Sequence, residues 1–286
     1  MNDRLYMLLI SMLPRKRVGR LLGALAGWTG SNCISRWAVR WFARRYGVDL
    51  SELAEPIERF PNLRSFFVRR LAPGARPVEE NPAAVVSPVD GILGAYGRID
   101  RNICFQVKDI TYTVDDLLGG PRDALPYHEG HYVTLYLSPR HYHWIHAPVE
   151  GDVVRYHHIP GHLFPVNPPS VRTVDRLFAV NERVISTIQL NLPGSPEVKV
   201  VKVGAIGVGR IRVVYSNRLT NRPGQFEREE FIFPPFHVRK GDALAAFELG
   251  STVILVFPPG LVELAQLETG SELKMGQTIG TLIPLK

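Results

Sequence analysis

Ser251 is a candidate nucleophile because of what lies on either side of it. It precedes residues 253–257, a short apolar run rich in β-branched side chains that predicts a buried strand. It follows Gly250, which has no side chain and leaves the carbonyl before the serine open to attack. The tetrapeptide Leu-Gly-Ser-Thr is usually an ordinary turn. A reaction of the Ser251 hydroxyl with its own preceding peptide bond therefore needs a base and an orienting group elsewhere in the chain.

The segment 137–148 holds three histidines within six residues: His141, His143 and His146. The whole chain has nine histidines, so this local density is high, and the neighbouring side chains are largely apolar. A single histidine there would be interpreted as structural, whereas three on one loop indicate a site.

Asp90 is the acid that could complete a relay with the loop and the serine. It lies in the sequence Ser-Pro-Val-Asp-Gly, where an aspartate alone would be a turn residue. If Asp90, His146 and Ser251 converge, the carboxylate orients the imidazole and the imidazole activates the hydroxyl. Spacing along the chain cannot test this, because such triads occur in several chain orders.

A zinc-dependent hydrolase is the rival use of the histidine loop. His141 and His143 alternate as ligands on a strand do, and His146 would be the third ligand. Zinc needs a fourth ligand and orienting partners, and neither an HExxH nor a CxxC motif is present. We therefore expect no metal. A non-catalytic, membrane-bound carrier-like module, in which the chain would stay uncut, is the other alternative.

A third polar segment lies at residues 160–167. It combines His162, Phe164 and Asn167 and does not have the pattern of a strand. A loop with an aromatic ring, an imidazole and an amide could bind the head group of an amphiphilic substrate, and it could equally be a well-capped loop. We take these three as the candidate substrate-binding residues.

The elements that must position these groups are predicted to be short strands separated by Gly, Pro and Asp turns. The predicted strands are 92–97, 103–107, 131–138, 151–157, 183–190, 198–216, 229–233, 252–257 and 278–283. The fold class is α+β, with N-terminal amphipathic helices followed by a mainly antiparallel, sandwich- or barrel-like β domain. We place the helical, membrane-associating region and its linker at 1–76 and the β-rich catalytic domain at 77–286.

A weak internal repeat supports a β fold. The sequence Pro-Val-acid-Gly occurs at 88–91 and again at 148–151, each time before a predicted strand. Residues 238–242 and 273–277 make similar tight turns. Repeated hairpin units of this kind occur in sandwich folds, although two short matches could arise by chance.

The positive charge is confined to the N-terminal region. The net charge is +7, but residues 1–46 hold nine basic side chains and one acid, whereas the other 240 residues hold 25 basic and 26 acidic side chains. Three of the four tryptophans, Trp28, Trp37 and Trp41, lie in the same basic region. Helices with Trp and Leu interleaved with Arg bind the interface of an anionic membrane. We therefore expect lipid and no nucleic acid as the partner of this region.

The N-terminus fits neither a membrane span nor a cleaved signal peptide. The apolar run at residues 5–13 is far shorter than the roughly 20 residues that a spanning helix needs. The basic residues at 15–20 interrupt what would be the apolar core of a signal peptide. Cys33 and Cys104 fit no disulfide framework, so a reducing compartment is the simplest interpretation. We expect peripheral attachment to the cytoplasmic face of the cell membrane.

Taken together and in this order, the motifs resemble those of the proenzyme phosphatidylserine decarboxylases of the bacterial membrane-associated, pyruvoyl-dependent type. The resemblance runs over nearly the whole chain. The segments that carry it are 66–69, 88–91, 136–140, 142–146, 160–167, 177–183 and 247–253. Relatives often carry an acid at the position of His141, so this histidine is not expected to belong to the shared machinery.

The resemblance implies a self-cleavage that happens once. Asp90, His146 and Ser251 would act as a serine-protease triad, in which His146 takes the hydroxyl proton and the Ser251 oxygen attacks the Gly250 carbonyl to give an ester. Elimination would leave dehydroalanine, which hydrolyses to a pyruvoyl group and ammonia. The products would be a β chain of residues 1–250 and an α chain of residues 251–286, which stay associated.

The resemblance also implies the second reaction. The covalent pyruvoyl group made from Ser251 is the cofactor, and it forms a Schiff base with the amine of phosphatidylserine in the membrane. It then withdraws electrons while CO₂ leaves, and phosphatidylethanolamine is released. His143 is the candidate proton donor in this decarboxylation. The sequence leaves the oligomeric state open, with a homodimer as one assembly to test.

Overall fold

The computed structural model describes residues 15–30, 32–107, 110–206, 210–217, 220–221, 226–248 and 251–283. The apolar run at residues 5–13 and the predicted cleavage residue Gly250 lie outside these ranges. The N-terminal region is helical, with α1 at Arg15–Ala26, α2 at Asn32–Tyr46, a 3₁₀ turn at Ile57–Arg59 and α3 at Leu63–Phe67. No helix among the described residues is both long and apolar enough to cross a membrane.

Helix α2 is amphipathic in the sense that the sequence predicts. Val39, Phe42 and Ala43 are buried at helical spacing and pack in one cluster with Phe66 and Phe67 of α3. The opposite side of α2 leaves aromatic and basic side chains exposed. Helix α3 begins with a capping box, in which the Asn62 side chain accepts from the Ser65 N–H and the Ser65 hydroxyl receives the Asn62 N–H.

The rest of the chain is mainly antiparallel β structure. The first eight strands are β1 (Ala84–Val86), β2 (Gly91–Arg98), β3 (Ile103–Val107), β4 (Ile110–Thr113), β5 (His131–Tyr136), β6 (Trp144–His146), β7 (Gly151–Ile159) and β8 (Arg183–Gln189). They are followed by β9 (Glu197–Val203), β10 (Ile211–Val213), β11 (Arg228–Val238), β12 (Ala243–Phe247), β13 (Thr252–Phe257), β14 (Val262–Leu264), β15 (Glu272–Leu273) and β16 (Thr278–Leu282). Short helices at Val114–Leu118, Pro121–Ala124, Pro168–Val171 and Leu177–Val180 connect them. The α+β prediction is confirmed.

Strand β13 lies inside an eight-stranded sheet with the order β11-β7-β8-β9-β13-β5-β2-β15. It pairs antiparallel with β5 and with β9, so that Thr252 lies opposite Tyr136 on one side and Val203 on the other. All six residues of β13 are buried. The apolar run after Ser251 is therefore a central strand covered on both faces, as predicted.

Two three-stranded sheets, with the orders β10-β12-β6 and β1-β16-β14, share one hydrophobic core with the eight-stranded sheet. Residues 39–67 form a second cluster of their own. The boundary that we place after residue 76 falls between these two clusters along the chain, and it stays a prediction.

The strand prediction for 198–216 is wrong. Strand β9 ends at Val203, and the chain crosses to the sheet in which β10 pairs with β12. The next residue, Gly204, turns toward the start of β8 and donates its N–H to the Glu182 carbonyl. The predicted strand 229–233 covers only the first half of β11, which continues to Val238. The remaining predicted strands are present with shifts of at most two residues at their ends, whereas the sequence missed short strands such as β1, β6 and β12.

The weak Pro-Val-acid-Gly repeat corresponds to a local pseudo-twofold arrangement. The Val86 N–H donates to the Pro148 carbonyl (3.0 Å), and reciprocally the His146 N–H donates to the Pro88 carbonyl (2.8 Å). Each copy is also closed by its own tight turn, because the N–H groups of Gly276 and Gly241 donate to residues 87 and 147, respectively. This arrangement brings the Asp90 turn next to the strand that carries His146.

Candidate active site

Ser251 lies immediately before β13 and is completely buried. Its carbonyl oxygen accepts the Leu137 N–H at 2.8 Å. Its hydroxyl has no hydrogen-bond partner among the described residues. Leaving a buried hydroxyl unpaired costs about 1–3 kcal/mol, and such groups in folded proteins often mark a functional position.

The chain that leads to Ser251 is held from the other side by the histidine loop. Strand β12 pairs with β6, and the Phe247 N–H donates to the His143 carbonyl at 3.0 Å. Residue 247 and residue 251 are thus attached to the two ends of the same loop, 137–143. The few residues between them, which include the predicted cleavage site, must connect these two fixed points.

His146 is a buried imidazole with a defined tautomer. Its Nδ1 lies 2.7 Å from the Gly241 carbonyl oxygen, which can only accept, so Nδ1 carries the proton. Nε2 is then free to accept, and it lies 3.2 Å from the Tyr142 hydroxyl. Burial lowers the pKa of His146, against the opposing effects of the Gly241 carbonyl and Asp90. At neutral pH His146 is therefore a neutral base whose basic nitrogen is Nε2.

Asp90 is fixed by groups other than His146. Its carboxylate accepts the Nε–H of Arg76 at 2.8 Å, an Nη2–H of Arg76 at 2.5 Å and the Met275 N–H at 2.9 Å. Among the described residues, no hydrogen bond joins Asp90 to His146 or His146 to Ser251. The structure therefore brings Asp90 and His146 to adjacent turns, while the Gly241 carbonyl occupies the orienting position on Nδ1. The triad itself stays a prediction.

His143 is completely buried, more so than the other two histidines of the loop. Its Nδ1–H donates to the His141 carbonyl at 2.8 Å, and its Nε2 has no partner among the described residues. Its ring contacts that of Phe67 edge-on, with centroids 4.9 Å apart. Burial, assisted by the nearby Arg69 cation, lowers the pKa of His143 to about 3. In the neutral imidazole Nε2 can accept a proton. His143 must therefore be protonated at Nε2 before it can act as the predicted proton donor.

Arg69 holds the loop in place from the helical region. Its buried Nη2 donates to the carbonyls of Arg140 (2.7 Å) and His141 (2.8 Å), the second of which also receives the Nδ1–H of His143. Burial lowers the pKa of Arg69 to about 10. The residue belongs to the 66–69 motif, but sequence reasoning did not assign it to the site. An arginine next to two phenylalanines gives no sign that its partners are carbonyls about seventy residues away.

The three histidines do not share one ligand position. The Nδ1 atoms of His143 and His146 donate to carbonyls, and His141 Nδ1 accepts the Ser138 N–H at 3.0 Å. The other nitrogen of His141 faces the Glu272 carboxylate at 3.3 Å.

A different group in the described chain, Asp123, His157 and Glu229, has metal-ligand spacing. Arg155 donates from Nη1 to Asp123 at 2.7 Å and to Glu229 at 2.6 Å, so the two carboxylates already share a cation. This cluster is therefore an ion-pair network.

A largely apolar cavity of about 520 Å³ lies between the helical region and the β domain. The helical region contributes Leu25, Trp28 and Phe42, among others, and also Phe67, which contacts His143. The β domain contributes Leu137, whose N–H binds the Ser251 carbonyl. The cavity is thus lined by one residue whose backbone binds Ser251 and by another whose side chain contacts His143.

The predicted substrate-binding residues have different surroundings. Asn167 lines the cavity, and its side chain also caps the helix Pro168–Val171. His162 and Phe164 are not among the lining residues. The Phe164 N–H donates to the Asn181 side chain, and His162 forms a β-bridge with Asn181. A role in substrate binding stays a prediction for all three.

Comparison with known proteins identifies the family. Residues 63–281 match the family model described as phosphatidylserine decarboxylase. The chain is 41% identical to the phosphatidylserine decarboxylase proenzyme of Anaeromyxobacter sp. (strain K), covering 98% of this chain and 99% of the relative. It is 40% identical to that of Myxococcus xanthus (strain DK1622), covering 99% and 100%, and 39% identical to that of Brevibacillus brevis (strain 47), covering 98% and 99%.

These relatives define a class, the decarboxylases that are made as proenzymes. Within this class, the chain belongs to the phosphatidylserine decarboxylase family.

His143 and His146 should be neutral Nδ1–H tautomers at pH 7. Because burial lowers both pKa values, His143 should stay neutral down to about pH 4 and His146 should protonate below the ordinary histidine value of about 6.5. Nitrogen-15 NMR of the histidine side chains in Ser251→Ala, which keeps the sample as one intact chain, would test this. His143→Gln and His146→Gln provide the assignments. Protonation of His143 above pH 6 would contradict the structure.

Proposed function

We propose that this protein cleaves itself between Gly250 and Ser251 and that the resulting enzyme converts phosphatidylserine to phosphatidylethanolamine and CO₂. The observation that carries the proposal is the buried Ser251 hydroxyl, which has no hydrogen-bond partner among the residues that the structure describes. The chain on both sides of it is hydrogen-bonded to the histidine loop. His146 supplies the base for the cleavage. Its Nε2 is the unprotonated nitrogen, and Ser251 would replace the Tyr142 hydroxyl as the group that donates to it.

In this proposal Asp90 acts on His146 mainly through its charge. The carboxylate raises the pKa of His146 and so favours the imidazolium that forms when the serine proton is taken. The Gly241 carbonyl keeps Nδ1–H in place while this happens. Once the Ser251 oxygen has attacked, the peptide is replaced by an ester, and elimination yields dehydroalanine, which hydrolyses to the pyruvoyl group and ammonia.

The surroundings of residue 251 fit such a group, because Ser251 Oγ and His143 Nε2 are both buried and unpartnered in the described chain. The pyruvoyl carbonyl would react with the lipid amine and act as the electron sink that allows the carboxylate to leave as CO₂. His143 is the proposed proton carrier. The Arg69–His141–His143 hydrogen bonds fix its ring so that Nε2 is the nitrogen available for that proton.

The two fragments would remain one protein after cleavage. The α chain, residues 251–286, contains β13, which is hydrogen-bonded on both sides to strands of the β chain. It also contains β15 and β16, which pair with β2 and β1, respectively. We expect separation only under denaturing conditions. Native mass spectrometry would also show whether two αβ pairs associate into a homodimer.

The lipid would enter from the helical region. The cavity between the helices and the β domain is lined by apolar side chains suited to an acyl chain, and its β-domain wall includes the neighbours of Ser251. Helix α2 exposes Trp37 and Trp41 together with arginines at 36, 40, 44 and 45. This is the composition of a helix that binds an anionic membrane surface, which supports peripheral attachment on the cytoplasmic face.

Replacement of any proposed triad residue should leave the precursor intact. The intact mass spectrum of the denatured wild-type protein should show two fragments, 1–250 and 251–286. The smaller fragment should be about 17 Da (one ammonia) lighter than a peptide 251–286 with an unmodified N-terminal serine. Ser251→Ala, His146→Ala and Asp90→Asn should each give one full-length mass with a folded circular dichroism spectrum. Normal processing of any of the three would remove that residue from the triad.

His143 should be dispensable for cleavage and required for decarboxylation. His143→Asn retains a donor for the His141 carbonyl but lacks Nε2. We expect normal fragments and a kcat reduced about 100-fold or more, because proton transfer by a positioned group contributes about 10²–10⁴-fold. His128→Gln, at a half-buried histidine paired with Asp115, is the matched control. Unchanged turnover in His143→Asn would exclude the proposed role.

The aromatic side chains of α2 should contribute to membrane binding. Trp37 and Trp41 are 64% and 50% exposed, so replacing both with serine should cost little stability. It should weaken cosedimentation with phosphatidylglycerol vesicles by roughly 10-fold or more, with wild-type binding falling as salt is raised. Phe231 and Phe233 on β11, which are 78% and 94% exposed, provide the control pair when changed to serine. Equal effects of the two double variants would contradict attachment through α2.

A further inference from the structure

Arg76 uses all five of its N–H donors, and its side chain is only 7% exposed. It binds the Asp90 carboxylate through Nε and Nη2, as described above. On its other side it binds the Glu52 carboxylate through Nη1 (2.9 Å) and Nη2 (2.7 Å), and the fifth bond goes to the Ala75 carbonyl (2.7 Å).

The contacts of Arg76 connect regions that are far apart in the sequence. It lies in the linker between the helical region and the β domain, close in space to the turn that carries Asp90. Glu52 belongs to the helical region and is held there because the Ala72 N–H donates to its carbonyl at 2.8 Å. Glu52 also faces Lys274 at 3.3 Å, in the same turn of the future α chain that supplies the Met275 N–H to Asp90. At the Asp90 carboxylate, Arg76 thus connects the helical region, the turn that carries Asp90 and the turn 274–275 of the future α chain.

We propose that Arg76 is a positioning residue for self-cleavage, which fixes the orientation and offsets the charge of the Asp90 carboxylate so that Asp90 acts on His146 at a set distance and strength. This inference rests on the proposed function, because it requires Asp90 to take part in the cleavage. Glu52 anchors the other side of the guanidinium and makes its position depend on the packing of the helical region.

Arginine is suited to this position and lysine is not. The planar guanidinium holds two carboxylates in fixed geometry, whereas an ammonium group is a point charge on a flexible stem. Burial alone would lower the pKa of Arg76, but the hydrogen bonds to Asp90 and Glu52 outweigh it and raise the pKa instead. The cation is therefore permanent, and it holds Asp90 without any exchange of protons.

The charge of Arg76 should be detectable at His146. Burial and Arg70 lower the pKa of His146, whereas the Gly241 carbonyl, Asp90 and Asp242 raise it, and the Tyr142 hydroxyl faces Nε2. Removing the Arg76 cation leaves the negative charge of Asp90 less offset, which raises the pKa of His146. Because only neutral His146 can take the serine proton, the acid side of the pH profile of cleavage should move to higher pH.

The test follows the rate of self-cleavage of the full chain by intact mass after cell-free synthesis, between pH 5 and 9. Arg76→Met should slow cleavage roughly 10- to 100-fold, as expected when a reacting group is displaced by about 1 Å, and should shift the profile upward. Arg76→Lys retains the positive charge but not the planar guanidinium, so its cleavage should be slower while its pH profile stays near that of the wild type. Arg155→Met is the matched control, since Arg155 also bridges two carboxylates, Asp123 and Glu229, but away from Ser251. It should cleave like the wild type.

Two results would overturn the inference. One is a wild-type rate in Arg76→Met. The other is a slower rate with an unshifted profile in Arg76→Met, together with the same slowing in Arg155→Met, which would show a loss of stability alone. Thermal unfolding of all variants identifies any that do not fold. If Arg76→Met does not fold, the cleavage rates of Arg76→Lys and Glu52→Gln test the inference instead, and wild-type rates in both would overturn it.

Asp90→Asn, measured in parallel, separates this inference from the proposed function. Normal cleavage of Asp90→Asn would refute the role of Asp90 itself. A blocked Asp90→Asn with a normal Arg76→Met would refute only the role of Arg76.

Discussion

The loop 137–143 holds the chain on both sides of the predicted cleavage site, and the rest of the structure depends on that constraint. The Phe247 N–H binds the His143 carbonyl, and the Ser251 carbonyl binds the Leu137 N–H. These two bonds attach the end of β12 and the start of β13 to one short loop that also carries His143. Because both ends are fixed, the chain loses less conformational entropy when the serine side chain attacks the preceding backbone carbonyl. It would also let a cut chain keep its fold, since β12 and β13, on either side of the predicted cut, are each paired with other strands.

The pseudo-twofold pair of Pro-Val-acid-Gly turns places the acid and the base, and its two copies have diverged. In the first copy, Asp90 is buried and bound by Arg76 and Met275. In the second copy the corresponding acid, Glu150, is exposed and lies 3.8 Å from the imidazole of His237. The repeat thus supplies a symmetric framework of reciprocal backbone bonds, whereas the proposed chemistry uses the one copy whose carboxylate is removed from water. Burial makes the difference, because a charge interacts more strongly where solvent does not screen it.

The sequence predicts the parts of this protein that depend on local pattern. The β-branched run after Ser251 identifies β13, the alternating run before the loop identifies β5, and the density of histidines identifies the loop itself. The contacts that orient the histidines depend on distant residues, so the pattern gives no sign of them. Gly241 binds His146 across 95 positions, and Arg69 binds the loop across about 70. Strand β6 is too short to show a period, and β12 is a uniformly apolar run without alternation; both form through pairing in the sheet β10-β12-β6.

The helical region contributes to the candidate site as well as carrying the surface that we propose binds the membrane. Phe67 lines the cavity and also packs against the His143 ring, so the wall that would contact a lipid is the wall that excludes water from this imidazole. The same exclusion of water lowers the pKa of His143 to about 3 and keeps it neutral beside the Arg69 cation. Arg69, from the same stretch of chain, fixes the loop through backbone carbonyls, which do not change their charge with pH. If the helices were displaced, the cavity would open, His143 would be hydrated and its carbonyl partner would be released. Docking of the helices therefore also determines the hydration and the protonation state of His143.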